Sequence, residues 1–174
     1  MESVNEVKSG TGRFVVLTVI LAVCLFIFLI GSGNDGKLDE FDALERAPAL
    51  ALTDAELALA ETILDYEDFR NALSYDLVEN VTVFSFEETE AVIGSVIPGD
   101  AEVTEVAVAG AVVTISYNQP QHQIYLEYVD ADRSGNVDQI RKTLAPRING
   151  VSTGCYQVVY NLTTGKTVYT YTSF

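Results

Sequence analysis

Histidine and cysteine are almost missing from this 174-residue chain, which has one histidine and two cysteines. Cys155 is the only cysteine outside the apolar run described below, so the rest of the chain cannot close an internal disulfide and must be held by its core. Residues 53–174 are enough for that in one domain. Cys155 lies in a strand-like stretch, 155–160, where cysteine reads as a small buried hydrophobe. His122 sits in QPQHQ, the sequence of an exposed turn, with no orienting partner or nucleophile beside it. No phosphate-binding glycine loop, CxxC, HExxH or GxSxG occurs. Glu87, Glu88 and Glu90 have the placement of surface acids at a helix start. The chain is expected not to be an enzyme.

Basic residues are also scarce: ten, against twenty-five acids, for a net charge of −15. The imbalance is uneven, with sixteen acids and three bases over 35–90 but seven acids and five bases over 91–174. Such a segment repels nucleic acid and anionic headgroups, so a nucleic-acid partner is not expected. A solvated, solubilising helix face accounts for it, and its functional counterpart is attraction to a basic protein surface or a cation layer.

Against these absences stands one long apolar run, FVVLTVILAVCLFIFLI at 14–30, seventeen residues with Thr18 as their only hydroxyl. At about 1.5 Å per residue it spans roughly 25 Å as a helix, close to a hydrocarbon core of about 30 Å. A cleaved signal would end in small residues, whereas this run ends in Phe28, Leu29 and Ile30. Leu21, Ala22, Val23 and Cys24 resemble a lipobox, but Val23 takes the small-residue place and six apolar residues follow the cysteine. The layout of short leader, apolar helix and β-rich head resembles type IV pilins. A pilin stem, however, carries an early glutamate where Thr18 stands, and continues where GSGNDG interrupts here. A permanent single-pass anchor is the expectation, with a pilin-like filament subunit as an alternative. Lys8 and Arg13 precede the run, while Asp35, Asp39 and Glu40 outnumber Lys37 after it, so the positive-inside rule puts the amino terminus in the cytoplasm. The expected organisation is a cytoplasmic tail (1–13), a transmembrane helix (14–30), a flexible acidic linker with a short helix (31–52) and an extracytoplasmic domain (53–174).

The domain reads as α+β. Thr53 and Glu56 form a capping box that starts an acidic helix, whose apolar stripe is Leu59, Ile63, Tyr66, Phe69, Leu73 and Leu77. Strand signals follow at 80–86, then a helical turn or two at 87–96. A valine-rich strand over 102–117 pairs as a hairpin with 124–129 across Asn118, Gln119 and Pro120. Asn136 with Gln139 reads as a cap for a helix carrying Val137, Ile140 and Leu144, ended by Pro146. Strands at 156–161 and 166–174 close the series around a turn at 162–165. The order β, α, β, β, α, β is that of a ferredoxin-like mixed antiparallel sheet.

Site chemistry concentrates in one loop. Asp130, Asp132, Ser134, Asn136 and Asp138 place oxygens at alternate positions with Gly135 at the sixth, which resembles the first nine residues of an EF-hand calcium loop. The resemblance ends at the twelfth place, where Arg141 replaces the bidentate glutamate. The competing reading is a polar strand-to-helix loop in which Asn136 caps the helix. Asn80-Val81-Thr82 and Asn161-Leu162-Thr163 are glycosylation sequons, with Asn161 favoured by its place at a turn. TVYTYTSF suits strand addition to a partner. Together these features point to a membrane-anchored structural or accessory subunit working with other protein subunits. The alternative is a calcium- or ligand-binding sensor.

Overall fold

The computed structural model describes residues 49–75, 80–148, 151–152 and 154–173. The expected tail, the span with its pilin-like alternative, and most of the linker lie outside these residues. Among the described residues no helix is long and apolar enough to cross a membrane.

The capping box forms: Thr53 N–H donates to Glu56 Oε2 at 2.8 Å, and Glu56 N–H donates to Thr53 Oγ1 at 3.1 Å. It starts α1 (Asp54–Thr62), but the expected single helix is broken. A 3-10 turn, Ile63–Asp65, is followed by extended backbone at Tyr66 and then by α2 (Glu67–Ala72). The break has its own stabilisation, because Arg70 donates to the carbonyls of Leu64 and Asp65 that a continuous helix would have used. It also lets Leu64 join Leu59, Ile63 and Phe69 in the interior. Leu77 lies outside the described residues. Leu50, from the stretch assigned to the linker, is buried in the same core.

The strands are β1 (Val81–Phe84), β2 (Glu102–Ala109), β3 (Val112–Gln119), β4 (His122–Val129), β5 (Gln139–Ile148), β6 (Val151–Ser152), β7 (Gly154–Asn161) and β8 (Lys166–Ser173). A helix α3 (Phe86–Ile93) follows β1, started by a second capping box between Ser85 and Glu88. Seven strands lie side by side in the order β1-β2-β3-β4-β5-β7-β8, every neighbour antiparallel, and β6 pairs with the end of β5. The fold is therefore a mostly antiparallel sheet with a few short helices. It is a meander without crossovers, which corrects the ferredoxin-like order.

The difference has two local causes. The valine-rich 102–117 is two strands folded at Gly110 and Ala111, with Gly110 in the left-handed region at φ 57°. The helix expected after Asn136 is strand β5. Ile140 and Leu144 are four apart, a spacing that fits a helix face and equally a strand face when the intervening Lys142 is counted in. Pro146 is tolerated because pairing with β7 ends at Leu144, so its missing N–H costs no bond on that side.

One sheet face packs against the helices. Val106, Ile115, Leu126, Lys142 and Val158 stand in register across five strands, and Lys142 is the only polar member of that row. Its ammonium is 2.9 Å from Glu56 Oε1 and donates to the Ala51 carbonyl at 3.1 Å. A buried ion pair thus pins the start of α1 to the middle of the sheet.

Candidate functional site

The loop between β4 and β5 is built around Asp130, which is fully buried. Its N–H donates to Ala111 O at 2.9 Å, fastening the loop to the β2–β3 turn. Its Oδ1 accepts from Ser134 N–H at 2.9 Å, and its Oδ2 accepts from Gly135 N–H at 2.9 Å and from the Tyr75 hydroxyl. Asp132 Oδ1 shares the Ser134 N–H at 3.0 Å, and Asp138 Oδ2 accepts from Asp132 N–H at 3.0 Å. The tight curl requires left-handed backbone at Arg133 (φ 62°) and Gly135 (φ 83°). Asp138 N–H and C=O are both held, the first by Val129 O and the second by Leu162 N–H, so the loop's exit is fixed as firmly as its entry.

The structure brings Asp130, Asp132 and Asp138 together: one carboxylate oxygen from each lies within 4.8 Å of the others. Ser134 Oγ accepts from Asn136 N–H at 3.3 Å, and both residues are exposed on the loop's outer side. Asn136 caps no helix, since β5 follows. The strand-to-helix explanation of this loop is thereby corrected. Hydrogen bonding from Ser134 keeps the Asp132 carboxyl below the usual carboxylate value. Three carboxylates in so small a volume repel one another, and a hard cation taking oxygen ligands relieves that repulsion. Arg141, at the place of the missing glutamate, lies in β5 opposite Glu127 and donates to Gln139 Oε1 at 3.4 Å. Burial pushes the Glu127 carboxyl up and the charge of Arg141 draws it back.

Tyr75 is the residue that local sequence patterns miss. It reaches Asp130 across fifty-five positions, and its own carbonyl accepts from Arg133 Nη2 at 2.8 Å. The Arg133 guanidinium carbon also sits 5.6 Å from its ring centroid. Donation to Asp130, then burial and the carboxylate's charge, push the Tyr75 hydroxyl up to about 12.

A second feature lies at the far edge of the sheet. Strand β8 is exposed from Lys166 to Tyr171, on both faces. Tyr169 and Tyr171 stand opposite Val158 and Tyr156 on the core side and are 48% and 37% exposed. Val168, on the other side, is 56% exposed. Among the described residues β7 is the only strand that pairs with β8. Cys155, beneath Thr172 in β7, is buried, and burial pushes its thiol up, away from the reactive thiolate.

No family model, curated protein or solved structure matches this chain. The two sequons differ in their surroundings. Asn80 and Thr82 are exposed at the start of edge strand β1, whereas Asn161 is half-buried with its Oδ1 accepting from Thr164 N–H and Oγ1, both at 2.8 Å. Asn80 is thus the more exposed of the two asparagines. Glu88, one of the clustered acids, closes the α3 capping box.

Proposed function

We propose that this chain is a single-pass membrane-anchored, extracytoplasmic, non-catalytic accessory subunit that docks to another protein by adding a strand to β8. The observation that carries the reading is the exposure of Val168, Tyr169 and Tyr171 on an eight-residue sheet edge. Natural proteins blunt such edges with bulges, prolines or charges placed along them. From Thr167 to Ser173 this strand has none of those residues. Tyrosine, threonine and valine supply cross-strand contact area, and the open backbone groups supply the hydrogen bonds. The apolar run at 14–30 and its flanking charges support the anchor and the outward orientation of the head. Native-mass analysis of the full chain, gently solubilised from its membrane, tests the reading. A complex larger than one chain, lost on Val168→Lys, is expected; a lone wild-type monomer overturns it.

A second reading, a calcium-binding sensor, is favoured by the convergence of the Asp130, Asp132 and Asp138 oxygens. Affinity would be modest, since the bidentate twelfth ligand is replaced by Arg141. Calorimetric titration of the full chain in detergent with calcium decides it. Heat that disappears in Asp132→Ala, an exposed position whose loss leaves the buried Asp130 network standing, supports the sensor; absence of heat in the wild type removes it.

A further inference from the structure

The docking reading leaves the identity of the added strand open, and the charge distribution narrows it. The chain carries −15 overall, yet the whole β7–β8 hairpin, Gly154 to Ser173, contains no aspartate or glutamate and a single lysine, Lys166. Two copies of so acidic a molecule repel, above all through the 35–90 stretch that holds sixteen of the acids. They do not repel at this edge. The opposite edge, β1, is four residues long and lies between Glu79 and Glu87 in the sequence, so it presents a shorter and more repulsive margin.

Resting on the docking reading, we infer that the strand added to β8 is β8 of a second copy, paired antiparallel about a two-fold axis near Tyr169 and Thr170. An axis perpendicular to the sheet keeps both copies' core faces on the same side, as continuation of one sheet requires. Centred on Tyr169, the pairing sets Tyr169 against its own mate, Val168 against Thr170, Tyr171 against Thr167 and Lys166 against Thr172. Every directly opposed pair except the terminal Lys166–Thr172 combines aromatic, β-branched or hydroxyl side chains, the combinations that stabilise antiparallel ladders. The two Lys166 ammoniums fall at opposite ends, roughly 20 Å apart at about 3.4 Å per residue, beyond a Debye length of about 8 Å. A parallel arrangement would bring them side by side. The exposed tyrosines Tyr169 and Tyr171 then carry into the second copy the rows that run through Val158 and Tyr156, where the Tyr156 and Tyr171 rings already lie 4.6 Å apart. Tethering both copies to one membrane raises their effective concentration and favours a contact of this small size.

The experiment uses the full chain in lipid nanodiscs and mild detergent, with Tyr169→Lys and Tyr169→Glu variants, each checked for an unchanged thermal melt. Wild type is expected to be dimeric. Each variant alone places like charges at the axis and weakens the dimer by about tenfold or more. Mixing the two variants restores a mixed dimer, an outcome that misfolding cannot imitate. A dimer that persists in both variants overturns the inference and puts the contact elsewhere, including the apolar run. A monomeric wild type also overturns it. If that monomer binds a different protein from native membranes through β8, the docking reading survives; if it binds none, both fall.

Discussion

At the scale of single residues, two contacts join parts of the chain that no local pattern connects. Tyr75 completes the hydrogen bonding of Asp130, whose remaining acceptor sites are met by backbone N–H groups of its own loop. Tyr75→Phe removes a hydrogen bond to a charged acceptor and is expected to cost about 1.5 kcal/mol in urea unfolding. Because folding raises the pKa of this hydroxyl, its contribution is whole below the unfolded value near 10 and is lost as pH rises through about 12. Alkaline unfolding of Tyr75→Phe should therefore converge on that of the wild type over this window. The other contact is the Glu56–Lys142 pair, 2% and 7% exposed at the side chains. Lys142→Met leaves a buried carboxylate without its cation and should cost about 3 kcal/mol. Adding Glu56→Gln removes that charge while keeping a residue able to close the capping box with Thr53, so the double variant should recover most of the loss. Urea midpoints of the two single variants and the double variant check this through a thermodynamic cycle.

At the scale of elements, glycine decides where strands turn and how closely they pair, for different reasons at two positions. Gly110 takes φ 57° between β2 and β3, with open space for a Cβ beyond an ordinary contact with Ser74 O at 3.8 Å. Gly110→Ala is thus a pure backbone penalty, expected at about 1 kcal/mol by thermal melting. At Gly154 a Cβ would stand 2.7 Å from the Thr172 carbonyl, so Gly154→Ala must push β8 off β7, and should destabilise by more than the change at Gly110 and disturb the exposed edge. The turn at Gly110 also marks what the sequence hid. An unbroken valine pattern on both sides of a two-residue turn reads as one strand, because alternation carries no information about direction. The capping box at Thr53 and the β7–β8 hairpin were legible, since side-chain chemistry and turn composition are local. Strand β5 was not, because Ile140 and Leu144 fit both periods and the partner of Lys142 lies eighty-six residues away. In the candidate site the aspartates were legible from their spacing, whereas Tyr75 and the Ala111 carbonyl enter only through tertiary structure.

At the scale of the whole molecule, the excess negative charge acts against the fold and against self-association alike, while the edge proposed to join two copies is nearly neutral. Salt then has a definite sign. Screening shortens the reach of repulsion from a Debye length of about 10 Å at 0.1 M to about 3 Å at 1 M, leaving strand hydrogen bonds and tyrosine contacts little affected. The dimer should strengthen as sodium chloride rises from about 0.05 to about 0.5 M, and the melting temperature of the sheet domain should rise with it. A complex held by complementary charges has the opposite dependence, weakening steeply over the same range. Mass photometry of the full chain across that salt series, at fixed detergent, measures the dimer fraction directly. Growth with salt fits a neutral edge between acidic bodies; decline identifies an ionic contact and, because the β7–β8 hairpin holds only Lys166 as a charge, places that contact away from β8.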